Sequence, residues 1–278
     1  MNTNSGTEKD YIRMFEFAGV PVLITNIFLD GYKEVEVCVT FDGTWWTSYM
    51  PKTTIERTLE EGRLGVYKDT DSYQKFKKDF YKYRERSTKR FDEIVSLLNV
   101  DQKTFSEFYN LLTEIYRFYK KTEFFFVDNV LGATDLDDEH KKMADDFGRF
   151  KLEAREYLNK QFISEPRWLT HMIALISKQT KLTEVDIFNM SREEIEGVLG
   201  GQSFDVSILK DRKVAYMADN FNQKTIFTFG LEASKQIQSF KNIEPAKELK
   251  GTIANKGYAK GVARVMLFDF NSMDTICR

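Results

Sequence analysis

The sequence predicts a mainly helical α+β protein with a small antiparallel β-hairpin sheet near the N-terminus, a large helical bundle and a partial β-rich segment at the C-terminus. Alternating β-formers flank an Asp-Gly turn, and long segments repeat apolar residues every three or four positions. The 278 residues include only 4 Pro but 24 Phe and 13 Tyr. Few prolines permit long helices, and many aromatic side chains suit helix–helix contacts or a ligand groove.

The predicted sheet occupies about residues 20–50. An apolar run over 20–29 is short enough for a buried strand, and residues 34–41 alternate apolar and polar side chains. Asp42-Gly43 then precedes the β-formers of 44–50, which is the usual signal of a β-hairpin. Trp45 and Trp46 must point to opposite faces of their strand. We therefore expect one of them in the core, and the other could be a surface or ligand-stacking residue.

Four long helices are predicted from periodic apolar positions. They begin near Asp71, near Asp101, near residue 138 and after Pro166. The apolar residues that share one face of the first helix are Tyr73, Phe76, Phe80 and Tyr83. The corresponding stripe of the second helix is Phe105, Phe108, Leu112, Ile115 and Tyr119, and that of the fourth is Trp168, Met172 and Leu175. Many basic residues crowd the first helix, and a solvated face with acidic partners is favoured there over an anion site. Ser191-x-x-Glu194 forms a capping box that opens a further short helix.

Charge and composition narrow the class of protein. The net charge is −2, which gives no sign of the basic excess of nucleic-acid-binding proteins. No run approaches the roughly 20 apolar residues of a membrane span. The two cysteines, Cys38 and Cys277, lie far apart and form no disulfide framework, which fits a reducing compartment. We therefore expect a cytoplasmic protein that binds neither nucleic acid nor membrane.

The residues provide no recognisable catalytic, metal or cofactor motif. Both histidines, His140 and His171, fall within predicted helices, where a structural or solvent-exposed role is favoured over catalysis. HExxH, CxxC, GxSxG, GxGxxG and Walker patterns are all absent from the sequence. The acidic segment 134–146 lacks the glycine and terminal glutamate of a calcium loop, and acidic residues suit a helix start. A metal-dependent hydrolase using 135–146 is the weakest alternative.

Residues 249–267, LKGTIANKGYAKGVARVML, resemble the start of the phosphohistidine swivelling domain of the phosphoenolpyruvate synthase and pyruvate phosphate dikinase family. The positions that match are Gly251, Ala254, Asn255, Gly257, Gly261, Ala263, Arg264 and Val265. Residues 182–199 are similar to the acidic helix–turn–helix that precedes this domain. Arg212, Tyr216, Gly230, Glu232 and Ala233 fall where the family's connector has its own Arg, Tyr, Gly and Ala. The resemblance covers about residues 182–278.

The resemblance implies three segments. Residues 1–200 would be a mainly helical substrate-recognition domain, 201–245 a connector, and 246–278 the incomplete start of a swivelling domain. The family's phosphoryl-carrying histidine lies in a glycine-rich Thr/Ser-His loop further downstream, and no histidine follows residue 171 here. We therefore expect a fragment or a truncated reading frame without a catalytic residue or cofactor of its own. ATP and Mg²⁺ are expected only for the complete system.

The predicted function is therefore part of a phosphotransferase similar to phosphoenolpyruvate synthase, inactive alone. Its helical portion would bind a small-molecule acceptor or dock the mobile domain. Its partners would be the domains or subunits that carry the phosphohistidine and the ATP site. Candidate acceptor contacts are Trp45, Trp46, Arg167 and Trp168, because ligand grooves combine aromatic walls with a few polar anchors. Ordinary packing or a surface ion pair would also explain each. The alternative is a non-catalytic helical binding or scaffold module whose sheet is completed by a partner strand.

Overall fold

The computed structural model describes residues 11–62, 70–125 and 138–241, and it confirms a mainly helical α+β fold. The predicted swivelling-domain start at 246–278 lies outside the described residues. The strands are β1 (Tyr11–Ala18), β2 (Cys38–Phe41), β3 (Trp45–Pro51), β4 (Tyr216–Asp219) and β5 (Ile226–Phe229). The helices are α1 (Val22–Gly31), α2 (Lys52–Gly62), α3 (Thr70–Val95), α4 (Gln102–Phe125), α5 (Asp138–Phe162), α6 (Trp168–Thr180), α7 (Glu184–Phe188), α8 (Arg192–Leu199), α9 (Leu209–Val214) and α10 (Gly230–Lys241). A short 3₁₀ helix, Val206–Ile208, precedes α9.

The five strands form one antiparallel sheet in the order β1-β3-β2-β4-β5. The predicted hairpin of β2 and β3 is confirmed, with Phe41 opposite Trp46 and Cys38 opposite Tyr49. The sheet extends beyond residues 20–50 in both directions along the chain. β1 precedes that range, and β4 and β5 come from the segment 201–245 that was predicted to be a connector. The described part of that segment therefore contributes two strands to the sheet.

The prediction of a strand over 20–29 was wrong, because this run forms the helix α1. Almost every side of α1 is buried, which explains why most of its residues are apolar. Leu23 and Ile27 face the core of the helical bundle, whereas Phe28 and Leu29 face the core beneath the sheet. A Cβ at Gly31 would collide with Tyr116 of α4, so glycine permits the close approach of these two helices.

The aromatic stripes predicted for the long helices are the core of the bundle. Tyr73, Phe80 and Tyr83 are buried, and the Phe80 ring meets that of Phe150 edge to face at a centroid distance of 5.1 Å. The predicted stripe of α4 is likewise buried from Phe105 to Ile115. The abundance of phenylalanine therefore reflects helix packing. Within the described ranges, no helix is both long enough and apolar enough to cross a bilayer.

Candidate functional site

The two tryptophans of β3 lie on opposite faces of the sheet, as alternation predicts. Trp46 is the core residue, and its Nε1 donates a hydrogen bond to the hydroxyl of Thr25 in α1 at 2.8 Å. Trp45 is half-buried on the other face. Trp46 is thus held by packing and by a hydrogen bond within the protein, and Trp45 is the more accessible of the two.

Arg167 and Trp168 lie at the start of α6. The indole of Trp168 stacks on Phe91 at 5.1 Å and donates to the Asp92 carboxylate at 2.7 Å, and only 2% of the residue is exposed. Arg167 has a φ of 50° and an exposed side chain that pairs with Glu165 at 3.4 Å. Trp168 belongs to the helical core and Trp46 to the sheet core. The four predicted residues therefore do not form one site.

A cleft of about 1190 Å³ opens between α3, α5 and the start of α6, with Trp168 on its wall. We call it the α3–α5 cleft. Its α3 side chains recur every three or four residues and so share one face of that helix. The cleft is lined by Tyr81, Arg84, Glu85, Thr88, Lys89 and Asp92 of α3, by Glu153, Glu156, Tyr157 and Lys160 of α5, and by Pro166 and Trp168.

One group of polar side chains in the cleft is linked by hydrogen bonds. Glu153 accepts hydrogen bonds from the Tyr81 hydroxyl at 3.1 Å and from Arg84 at 3.3 Å. Burial, and then the neighbouring Glu153 carboxylate, raise the pKa of Tyr81, so its hydroxyl stays a donor at neutral pH. The guanidinium of Arg84 also lies 4.9 Å from the centre of the Tyr81 ring. These contacts fix the aromatic wall of the cleft in place.

A second group of charged side chains in the cleft is unpaired. Glu85, Lys89, Glu156 and Lys160 form no side-chain hydrogen bond or ion pair with the part of the chain that the structure describes. The lining carries four acidic groups (Glu85, Asp92, Glu153, Glu156) against three basic ones (Arg84, Lys89, Lys160). A neutral or cationic polar molecule fits such a lining better than a polyanion does. In the sequence these four residues are two oppositely charged pairs, Glu85 with Lys89 and Glu156 with Lys160, and the members of each pair lie one helical turn apart.

No group of three or more His, Cys, Asp or Glu side chains suited to a metal occurs among the residues described. Asp146 of the acidic segment instead accepts hydrogen bonds from Lys77 at 2.8 Å and from Tyr73 at 2.7 Å. His171 is exposed on α6, and the side chain of His140 lies outside the description. Asp146 is thus bound to α3, and residues 135–137 of the acidic segment lie outside the described residues.

The residues that resemble the family's connector form a structural joint between α8, α9 and the sheet. Arg212 pairs with Glu194 of α8, and the Tyr216 hydroxyl donates to the Val20 carbonyl at 2.6 Å. Gly230 has a φ of 64°, and its N–H donates to the Ala215 carbonyl at 2.9 Å. Gly230 thereby joins the start of α10 to the residue before β4, a contact that the sequence did not predict.

Comparisons of the chain with protein-family models, with curated proteins and with solved structures find no match. The function of the chain therefore has to be inferred from its own residues.

Proposed function

We propose that the chain is the acceptor-binding part of a cytoplasmic phosphotransferase similar to phosphoenolpyruvate synthase, and that the acceptor binds in the α3–α5 cleft. A mobile domain beginning near residue 246 would carry the phosphoryl group on a histidine. The acceptor would be a small, neutral or cationic molecule with a hydroxyl or amino group that can accept phosphate. The chain itself binds and orients this molecule.

The observation that carries the proposal is the unpaired charge in an aromatic-walled cleft. Tyr81, Tyr157 and Trp168 provide the walls, and Glu156 and Lys160 provide groups that can hydrogen bond to a ligand. Binding sites commonly combine an apolar lining with a few polar groups of this kind. Charged hydrogen bonds to a ligand contribute about 1.5–3 kcal/mol each, so two of them would fix the orientation of a small acceptor.

The joint at Arg212 and Gly230 agrees with this arrangement. The N–H of Gly230 joins the start of α10 to the Ala215 carbonyl, and the segment that resembles a swivelling domain follows α10 within a few residues. A mobile domain attached there would be anchored to the same body that holds the cleft. ATP and Mg²⁺ would bind to the other domains or subunits of the system, as the resemblance implies.

The test uses a chain extended through the phosphohistidine loop and supplied with the ATP- and phosphoenolpyruvate-binding domains. Radiolabel from phosphoenolpyruvate is followed first onto histidine and then onto a panel of small hydroxylated and aminated molecules. In the double variant E156Q/K160Q we expect unchanged histidine labelling and a KM for the acceptor raised at least about tenfold. The matched control is K52Q/E56Q, which alters an exposed pair on α2 and should leave both steps unchanged.

Two results would contradict the proposal in different ways. A folded, extended chain whose histidine takes no label would overturn the phosphotransferase assignment. Normal labelling and normal acceptor KM in E156Q/K160Q would overturn the placement of the acceptor. A binding or scaffold module is the second candidate, and β1 favours it, because no described strand pairs with its outer edge.

A further inference from the structure

β1 is an edge strand of the sheet. Tyr11–Ala18 pairs with β3 on one side, and no described strand lies on its other side. Two large apolar side chains of this strand, Ile12 and Phe17, are each 41% exposed. An exposed strand edge with apolar side chains is a template for pairing with another strand.

A bulge at Met14 changes which residues of β1 share a face. Arg13 lies opposite Tyr49 and Phe15 lies opposite Ser48, so Met14 is an extra residue without a partner of its own in β3. In a regular strand, residues three apart point to opposite faces. Because of the bulge, Arg13 and Glu16 instead share a face, and their side chains lie 3.2 Å apart. By the same register, Ile12 and Phe17 share the other face.

We propose that the chain forms a homodimer in which the β1 strands of two copies pair antiparallel. Arg13 of each copy lies opposite Glu16 of the other, and Ile12 lies opposite Phe17. The two-fold axis then passes between Met14 and Phe15. Two five-stranded sheets become one continuous sheet across the dimer.

The bulge makes this register self-complementary. Residues directly opposite each other in an antiparallel pair must point to the same face. Without the bulge, a charge at position 13 would face away from its partner at position 16. With one extra residue in each strand, both faces match: opposite charges meet on one face and apolar side chains on the other. Cross-strand pairs of both kinds stabilise a sheet, and the symmetry supplies each pair twice.

The ion pair within one chain does not compete strongly with this arrangement. The side chains of Arg13 and Glu16 are 63% and 42% exposed, and exposed pairs three residues apart contribute little. Glu16 also accepts a hydrogen bond from the Thr47 hydroxyl at 3.3 Å, so turning both side chains towards the partner costs the monomer two weak contacts.

The test measures association by sedimentation velocity over a range of concentrations. We expect the wild-type chain to dimerise. R13E and E16R alone should associate at least about tenfold more weakly, because each places like charges opposite one another at two positions. Mixing R13E with E16R should restore the dimer, since all four charges are then complementary between the two chains.

The mixture separates an interface effect from a folding effect, because a folding defect in one chain would not be cured by the other. The matched control is R57E, which reverses a similarly exposed charge on α2 and should dimerise like the wild type. A monomeric wild type, undiminished association of R13E and E16R, or a mixture that stays monomeric would each overturn the proposal. The outcome does not depend on the phosphotransferase assignment.

Discussion

Arg212 and Glu194 form a two-point ion pair between α9 and α8, with both nitrogen–oxygen distances at 2.6 Å. The arginine side chain is only 4% exposed, and its guanidinium lies 4.3 Å from the centre of the Phe229 ring. A third hydrogen bond, to the Asn189 carbonyl at 2.8 Å, completes the contacts of Arg212 with α7–α8. This single side chain therefore joins the small helices to the last strand of the sheet.

We predict that R212A lowers the free energy of unfolding by about 3–5 kcal/mol, because it leaves the Glu194 carboxylate partly buried without its partner. Urea denaturation followed by circular dichroism measures the change. The control R57A, which breaks an exposed pair with Glu61, should change stability little. If R212A resembles R57A, the joint does not stabilise the fold.

The Arg212–Glu194 pair also predicts how the free energy of unfolding depends on pH. Burial pushes the pKa of Glu194 up, but hydrogen bonds from Arg212 and Ser191 outweigh it and hold the pKa below its usual 4.5. When folding lowers the pKa of a carboxyl, that carboxyl stabilises the folded protein at any pH above its pKa in the unfolded chain. The stabilisation is lost as the pH falls through the pKa of the carboxyl in the folded protein. We therefore expect the free energy of unfolding to decrease as the pH falls below about 4.5.

Glu194→Gln should make this decrease shallower, because the variant has no carboxyl to protonate at that position. Denaturation series between neutral pH and about pH 3 compare it with the wild type and with E61Q on the exposed face of α2. An identical slope in E194Q and the wild type would show that Glu194 is not held ionised by Arg212.

The two neighbouring tryptophans should differ in their effect on stability. Trp46→Phe removes the hydrogen bond to Thr25 and part of a buried ring, and we expect it to cost about 1–3 kcal/mol. Trp45→Phe on the half-buried face should cost much less. Guanidinium denaturation of the two variants provides the comparison, and equal losses would contradict the assignment of Trp46 to the core.

A fourth pair of variants tests the aromatic core of the bundle. Phe80 is fully buried, whereas Leu98, beyond the end of α3, is 92% exposed. We predict that F80A lowers the free energy of unfolding by about 3–5 kcal/mol, since it opens a cavity among packed rings. The exposed substitution L98A should have almost no effect. Thermal denaturation checks both, and a mild F80A would mean that the bundle repacks around the gap.

Local sequence patterns predicted the long helices and the hairpin because both depend on contacts between residues near each other in the chain. Phe105 and Phe108 repeat at helical spacing, and Asp42-Gly43 marks a turn whatever the rest of the chain does. The prediction of a strand over residues 20–29 was wrong for a physical reason. A short run that is apolar on all sides fits a buried helix as well as a buried strand, and only the packing of α1 between the sheet and α4 decides.

The remaining differences arise from contacts between distant parts of the chain. Nothing near Tyr216 shows that β4 pairs with Cys38–Phe41, far away in sequence. In the same way, Trp46 and Trp168 both look like candidate ligand walls in the sequence, but Trp46 lies in the sheet core and only Trp168 lines the α3–α5 cleft. The α3–α5 cleft joins side chains from three helices, so no single helix reveals it.

The most direct test of the proposed phosphotransferase is to follow radiolabel from phosphoenolpyruvate to a small-molecule acceptor, in the presence of the domains that would carry the phosphohistidine and the ATP site. The account predicts a labelled acceptor, with a KM for the acceptor that is raised at least about tenfold in E156Q/K160Q. A labelled histidine without any labelled acceptor, or an unchanged KM in E156Q/K160Q, would contradict it.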